Sequence, residues 1–529
     1  MPSFTLDGQQ VPYEPGDTIL RAAWRAGIEI PHYCWHPGLS VAANCRMCLV
    51  HIESGRQMAM PILRFDQAKQ TYVPDTKPKL MPACQFPAGD DLVVSSTSEV
   101  VKTAQQHVQE WLLLNHPVDC PICDQAGECK LQDYWATHDQ QMKRKRTEIV
   151  HKPKAVRFGP TIVYDAERCI SCTRCVRVCD ELVGDHVLDS RERGNRSEIF
   201  VAPGRELDHR YTLMTEHVCP VGALTSRDFR FKARVWFLKS ANGICSGCAK
   251  GCNMHVDYDP RSREVERLRP RDNMDVNQFW MCDDGMMSYK AVREDRVLTG
   301  LVGRGEARER VAASAALAFA VERLSAVPAD KVAFVLSATA STEENAALAR
   351  LAEAMGSVHL YLAARPDWEG DDILRSADHN PNRAGANLAA GHALEESVED
   401  LVSDLLAGAV GAVVAVGADS AEALEALAPM AALDASVVFA SNHGVLSDAA
   451  SVVVPIASWA ESVGTYVNEQ GRAQAYRRAV TPPGGVQEGW RAIADLAEAL
   501  GHGLGVERTE ELMPMPAANE AAAAAEVTA

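Results

Sequence analysis

The sequence predicts a multidomain chain of mixed α/β and α+β class, with a cysteine-rich front half and a doubly wound α/β back half. Three observations carry this. All 16 cysteines lie between Cys34 and Cys282, most of them in sets spaced by two or three residues, and the last 247 residues contain none. After residue 295, short apolar strands alternate with helices, the pattern of a mostly parallel sheet covered on both faces. At 529 residues and 47% hydrophobic side chains, there is chain enough for several cores.

Tight cysteine sets in a chain whose start, Met1-Pro2-Ser3-Phe4, carries no basic or apolar signal stretch point to metal in a reducing compartment, not to disulfides. The net charge of −18 argues against a nucleic-acid backbone as partner. The one basic run, Lys143-Arg144-Lys145-Arg146, reads as a solvated face or a contact with an acidic subunit. No apolar run reaches the ~18 residues of a membrane span; the longest candidate, 408–418, is far too short and rich in glycine and alanine.

Taken in order, residues 3–13 predict a hairpin turning at Asp7-Gly8. Asp17-Thr18 predicts the cap of a helix running to Ala26 and ended by Gly27. Cys34, Cys45 and Cys48, with Cys84 further on, make a three-plus-one set suited to a two-iron cluster, though the spacing differs from the plant type. A zinc site or buried free thiols are the alternatives. His32, His36 and His51 stand close by, but four thiols leave them no ligand role. Residues 47–52 alternate as a strand leaving this site. Residues 61–82, broken by prolines and lysines, read as an inserted surface loop.

Residues 98–115 predict an amphipathic helix, with Val101, Ala104, Val108, Trp111, Leu112 and Leu114 near helical spacing. It delivers His116 to Cys120, Cys123 and Cys129. Three thiols leave a four-iron cluster one donor short, and His116 is the nearest candidate; otherwise it is a helix-ending histidine with no metal role. A neutral imidazole in place of a thiolate removes one negative charge and raises the potential of the cluster.

The tightest set follows a strand at 161–164: Cys169-Ile-Ser-Cys172-Thr-Arg-Cys175, three thiols at i, i+3 and i+6. One such loop wraps one face of a cubane and gives three irons a thiolate each; Cys219, before Pro220, offers the fourth. Zinc is again the alternative, although zinc sites more often pair two separated Cys-x-x-Cys knuckles. Cys179 has no second triplet to serve, and Asp180 stands where proline would follow, so it reads as a buried spare thiol. Cys245, Cys248, Cys252 and Cys282 have the number and density of a further four-iron site. The four sets use 15 of the cysteines and leave only Cys179.

Beyond Asp283, strands are predicted at 331–336, 358–362, 409–416, 437–440 and 451–455. Helices are predicted at 341–355, opened by the capping pattern Ser341-Thr-Glu-Glu344, and at 421–427. No Gly-x-Gly-x-x-Gly or Walker loop follows a strand, so no nucleotide site is expected. Residues 464–468 and 471–472 read as strand, turn, strand, and the proline-, alanine- and glutamate-rich tail from Glu507 as disordered.

His116-Pro-Val-Asp-Cys120-Pro-Ile-Cys123-Asp-Gln-Ala-Gly-Glu-Cys129 resembles the histidine-ligated cluster motif of the large iron–sulfur subunit family of complex I, the proton-pumping NADH:quinone oxidoreductase. The Cys34 set resembles that family's N-terminal two-iron domain, and Cys169, Cys172, Cys175 and Cys219 its ferredoxin-like cubane. The Cys245 set resembles the extra, off-path cluster of some bacterial members. The C-terminal part, with Glu461-Ser-Val-Gly464-Thr-Tyr-Val-Asn468 and Gly471-Arg472-Ala-Gln474, is similar to a degenerate molybdopterin-oxidoreductase domain. The chain departs from the family in the loop before Cys84 and in a short C-terminal domain.

The resemblance implies six segments. These are a β-grasp [2Fe-2S] ferredoxin-type domain (1–97), a His/Cys-ligated [4Fe-4S] domain (98–138) and a [4Fe-4S] ferredoxin-like domain (139–237). A fourth Cys-ligated [4Fe-4S] domain (238–294), a truncated molybdopterin-oxidoreductase-like α/β domain (295–505) and a disordered tail (506–529) follow. It implies one [2Fe-2S] and three [4Fe-4S] clusters, no molybdenum or molybdopterin, and no catalytic side chain. The implied role is electron transfer from a flavin-bearing NADH-oxidising subunit towards quinone, in a chain with no NADH, flavin or quinone site of its own. Implied partners are that flavin subunit, a small [2Fe-2S] subunit, a downstream two-cluster ferredoxin-like subunit and quinone-site subunits, at the cytoplasmic face of the plasma membrane. The other reading is the electron-transfer subunit of a NAD-linked hydrogenase or formate dehydrogenase, which usually stops near the third site. A molybdenum enzyme would need a metal ligand well downstream and an iron-only hydrogenase further cysteines, whereas a zinc scaffold would be colourless.

Overall fold

In the computed structural model, which describes residues 2–55, 63–74, 79–139, 142 and 144–512, the chain divides into two units, Met1–Trp236 and Phe237–Ala529.

In the first unit, β1 (Ser3–Leu6) and β2 (Gln9–Pro12) make the expected hairpin. Asp7 (φ 47°) and Gly8 (φ 84°) both take the left-handed conformation that a two-residue turn demands. Thr18 caps α1 (Ile19–Arg25), its Oγ1 accepting from the Arg21 N–H at 3.3 Å, and Gly27 (φ 72°) follows the helix end. Then come β3 (Leu49–Ser54), β4 (Leu63–Asp66), β5 (Thr71–Pro74), β6 (Leu80–Pro82) and β7 (Val93–Ser95). The order β2-β1-β7-β3-β6 makes one mixed sheet, parallel only between β1 and β7. Alternate residues Phe4, Leu6, Val50, Ile52 and Val94 share a core with Ile19, Leu20 and Ala23 of α1.

The segment expected as a surface loop, 61–82, is instead largely paired. β4 and β5 form their own hairpin, with Phe65 opposite Tyr72, and β6 joins the sheet edge beside β3. Residues 61–62 and 75–78 of that segment lie outside the described residues. The alternation Arg64-Phe65-Asp66 and Thr71-Tyr72-Val73 has a strand period, which the surrounding prolines mask.

α2 (Glu99–Leu113) runs as expected, but its buried side is Val101, Gln105, Val108 and Gln109, while Trp111 is 68% exposed. Gln109 accepts from the Tyr33 hydroxyl and donates to the Leu131 carbonyl at 2.9 Å, so a polar residue fixes the face that docks. After α3 (Lys130–Tyr134) come β8 (Val156–Arg157), β9 (Ile162–Tyr164), α4 (Arg174–Arg177), β10 (Leu188–Arg191), β11 (Glu198–Val201), α5 (Thr212–His217) and β12 (Leu224–Ser226). β12-β9-β8 form an antiparallel sheet and β10-β11 a ribbon. α4 widens into a π-helical turn, Val178–Val183, that ends at Gly184 (φ 74°). Lys143, within the predicted basic run, lies outside the described residues.

The second unit opens with a meander of β13 (Lys239–Ile244), β14 (Asn253–Asp259) and β15 (Glu264–Pro270). Buried Asp257 of β14 is held by Arg267 and Arg269 of β15 at 2.8 and 2.7 Å. After α6 (Asp283–Met287), the α/β part runs β16 (Gly300–Val302), β17 (Glu309–Val311), α7 (Ala313–Ser325), β18 (Val332–Ser337), α8 (Thr342–Met355) and β19 (Leu360–Ala363). It continues through α9 (Arg383–Ala390), α10 (Val398–Leu406), β20 (Ala412–Val416), α11 (Ala428–Ala431), β21 (Ser436–Ala440), α12 (Val445–Ala449) and β22 (Val452–Pro455). The hairpin β23 (Gly464–Val467) and β24 (Ala473–Tyr476) and the helix α13 (Gly489–Ala499) close it.

The seven-stranded sheet has the order β17-β16-β22-β21-β20-β18-β19, parallel from β22 to β19. Both faces are covered, so its central strands are apolar at nearly every residue. Val332, Phe334 and Leu336 pack with α7, α8 and α13; Ala333 and Val335 pack with α10, α11 and α12. The Ser341–Glu344 capping box is formed as predicted. The helix expected at 421–427 is a 3-10 turn, Leu424–Leu427, leading into α11, whose first turn holds Pro429. Proline has no N–H to continue a preceding helix but fits a first turn, so the helix starts there. Residues 507–512, expected to be disordered, instead hold a 3-10 turn, Thr509–Glu511, that Leu512 anchors. Leu512 is buried in the sheet's helical core, and Arg350 donates to the carbonyls of Glu511 and Leu512. The remainder of the predicted tail lies outside the described residues.

Candidate metal centres

The residues of each predicted ligand set lie close together. In the first, Cys34 lies beside Cys45 and Cys48 beside Cys84, close enough for each thiol to perturb the other. Ala43 (φ 49°) and Arg46 (φ 60°) bend the loop around Cys45. A hydrogen bond from Cys45, then backbone N–H groups of Cys45 and Asn44, outweigh burial and pull the Cys34 thiol down to about 5. His32 is engaged elsewhere, Nδ1 lying 2.7 Å from the Ile30 carbonyl, and His36 Nδ1 accepts from the Gly38 N–H at 3.1 Å.

In the second set, α2 ends just before His116, Pro121 sits in the 3-10 turn Cys120–Ile122, and Cys129 precedes α3. His116, Cys120, Cys123 and Cys129 line one largely apolar cavity of about 900 Å³. Gly222 forms part of its wall: a Cβ there would stand 2.1 Å from Cys123 Sγ. Burial pushes the Cys129 thiol up to about 11.

Cys169, Cys172, Cys175 and Cys219 line a third cavity, closed by Tyr164 and Ile199. Ser171 (φ 53°) and Thr173 (φ 58°) curl the loop, and the Ser171 N–H points at Cys169 Sγ at 3.4 Å. α5 carries the chain to Cys219, whose thiol burial pushes up to about 12.

Cys245, Cys248, Cys252 and Cys282 line the fourth cavity, in the second unit. The N–H groups of Gly247 and Gly285 point at Cys245 Sγ and Cys282 Sγ, each at 3.4 Å. A Cβ at Gly285 would lie 3.1 Å from Cys245 Sγ. Trp368 and Arg375, stacked at 3.5 Å, also line this cavity and come from the α/β part. Cys179 lines none of these three cavities; it is fully buried, with His209 Nε2 at 3.4 Å.

These surroundings fit iron–sulfur clusters. In the last three sets the donors ring a cavity, as the separate irons of a cluster require. Among the described residues no three His, Cys, Asp or Glu side chains converge as they would around one ion. Glycines stand where a Cβ would crowd a ligand sulfur, and N–H groups aimed at sulfur favour thiolates. Burial opposes that charge, and a metal centre bound there would offset it and release the thiol protons. The sequence reading missed Gly222 and Gly285, and also three arginines beside the cysteines, Arg168, Arg174 and Arg177.

Four family models match. They are "2Fe-2S iron-sulfur cluster binding domain" at 2–99 and "NADH-ubiquinone oxidoreductase-G iron-sulfur binding region" at 105–144. "NADH-quinone oxidoreductase subunit 3, ferredoxin-like domain" matches 159–225, and "Molybdopterin oxidoreductase" matches 386–499. The chain is 32% identical over 375 residues to an NADH-quinone oxidoreductase subunit of Rickettsia felis, covering 71% of this chain and 52% of that protein. It is 29% identical to the mitochondrial NADH-ubiquinone oxidoreductase 78 kDa subunit of Candida albicans, covering 94% of this chain and 82% of that one. The chain thus spans about half the length of the first curated relatives it matches. A chain from the crystal structure of NAD+-reducing [NiFe]-hydrogenase in the H2-reduced state is 28% identical, over 44% of this chain and 91% of that one. Its TM-score is 0.37.

Proposed function

The chain belongs to the large iron–sulfur subunit family of NADH:quinone oxidoreductase, and from that premise we propose that it conducts electrons singly from a flavin-bearing, NADH-oxidising partner towards quinone. The observation that carries the reading is the shared wall between two donor sets: Gly222, three residues after Cys219, closes on Cys123. Two redox centres held by adjoining walls are what stepwise electron passage needs.

In this reading Cys34, Cys45, Cys48 and Cys84 hold one [2Fe-2S] cluster. Three [4Fe-4S] clusters are held by His116 with Cys120, Cys123 and Cys129, by Cys169, Cys172, Cys175 and Cys219, and by Cys245, Cys248, Cys252 and Cys282. The clusters, when bound, supply the one-electron chemistry. The polypeptide positions them, keeps water away and aims N–H dipoles at the sulfurs, so little must reorganise when charge changes. No general acid, base or nucleophile is required. Molybdenum and molybdopterin have no part in this reading, and the Cys245 set has a structural or off-path role.

The proposed partners are the flavin subunit, a small [2Fe-2S] subunit, a two-cluster ferredoxin-like subunit and the quinone-site subunits. Among the described residues no helix is long and apolar enough to cross a membrane. Attachment to the cytoplasmic face of the plasma membrane would therefore run through those partners. The test is anaerobic mixing of the reconstituted chain with NADH. NADH alone should leave the iron–sulfur absorbance unbleached, and NADH with the flavin-bearing subunit should bleach it. Bleaching by NADH alone, or none with the partner present, overturns the reading.

A further inference from the structure

Two buried arginines join the first and third donor sets. Arg174 and Arg177 are 9% and 8% exposed, and both lie in α4, between and just after the cysteines of the Cys169 loop. Arg177 Nη2 donates to the carbonyl of Cys34, itself a proposed ligand, and, at 3.4 Å, to the carbonyl of Cys172. Its Nη1 donates to the Ser40 carbonyl. Arg174 donates to the Trp35 carbonyl and, at 3.1 Å, to the carbonyl of Val218, next to Cys219. One guanidinium therefore touches the backbone at Cys34 and at Cys172, and the other the backbone beside Cys34 and beside Cys219. The Ser40 N–H donates to the Glu181 carboxylate at 2.8 Å, and the Asn44 amide to the Ser171 carbonyl at 3.3 Å, which latches the same two loops further.

The partners of the two arginines are all carbonyl oxygens, with no carboxylate among the described residues. This contrasts with the junction on the other side of the Cys169 loop. There Arg168, next to Cys169, is neutralised by Asp119, next to Cys120, at 3.0 Å, with Asp165 at 3.4 Å. Burying a cation without a counter-charge costs several kcal/mol, so an anion is required nearby. Thiolate-ligated clusters on either side would be those anions. Reduction adds negative charge to each, which a fixed adjacent cation favours.

We propose that Arg174 and Arg177 are positioning residues that set the separation of the centres at Cys34 and Cys169 and raise the reduction potentials of both. The proposal rests on the reading that both sets bind iron–sulfur clusters. The test is a redox titration of the full, anaerobically reconstituted chain, followed by electron paramagnetic resonance, in R174M, R177M, R174K and R177K. Each methionine variant should make both centres at least tenfold harder to reduce, a downward shift of about 59 mV for one electron. The centre of the His116 set should stay put. The lysine variants keep the charge but lose the forked contacts. They should hold both potentials within threefold and weaken the magnetic coupling between the two centres. If a methionine variant loses a centre, the lysine pair decides: centres at least tenfold harder to reduce in the lysine variants overturn the proposal. Unshifted potentials in methionine variants that keep both signals also overturn it. Failure of the underlying reading looks different, because neither signal would then appear in the parent chain.

Discussion

Gly222→Ala should empty the His116 set of its cluster while leaving the other three sets filled. The added Cβ would stand 2.1 Å from Cys123 Sγ and 3.1 Å from the Gln125 Cβ. Carbon and sulfur do not approach so closely without a bond, so one of them must move. Gly222 follows Cys219-Pro220-Val221, where the chain is buried and anchored by its own donor set. The side chain that yields is Cys123, and it yields by leaving its cavity. The effect is steric, because Gly222 does not sit at positive φ and alanine meets no backbone penalty there. We expect a loss of roughly four irons per chain, the content of one cubane, with the other signals unchanged. Full iron content in the variant would mean that Cys123 is not a ligand.

His116→Cys should retain a cluster but make it much harder to reduce. Replacing neutral imidazole by thiolate adds one negative charge at the cluster. Two histidines raise Rieske centres by roughly 250–700 mV over plant-type ferredoxins, so one exchange should lower this centre by on the order of 100 mV. The substitution is geometrically modest, since His116 already lines the cavity with the three cysteines. An electrode titration of the variant should find the centre downshifted and the rest where they were. An unmoved centre removes His116 as a ligand and leaves it a helix-ending histidine.

The parts of the fold legible in the sequence are those fixed by local rules. Asp7-Gly8 can take two positive φ values and Ser341 with Glu344 can close a capping box, so both elements form where they are read. The doubly wound sheet is legible because strands buried on both faces are apolar throughout, as in the alanine and valine run of β20, Ala412–Val416. Tertiary context decided the rest. Trp111 has a helical period with the apolar residues, yet Gln109 faces inwards because Tyr33 and Leu131 satisfy its amide. Among the described residues the hairpin of β4 and β5 pairs only with itself, so no neighbouring strand marks its place in the sequence. For the site, thiol spacing named the donor sets, because a loop of fixed reach can hold only what its spacing allows. Spacing is silent on what lies between the sets, and Gly222, Arg174 and Arg177 became visible only when separate loops were brought together.

Whether these thiols and one imidazole hold four iron–sulfur centres is decided by a low-temperature electron paramagnetic resonance spectrum of the reduced, anaerobically purified chain. One two-iron signal and three four-iron signals are expected, with iron and labile sulfide in equal amounts. A colourless protein that carries zinc and gives no such signals would contradict that assignment.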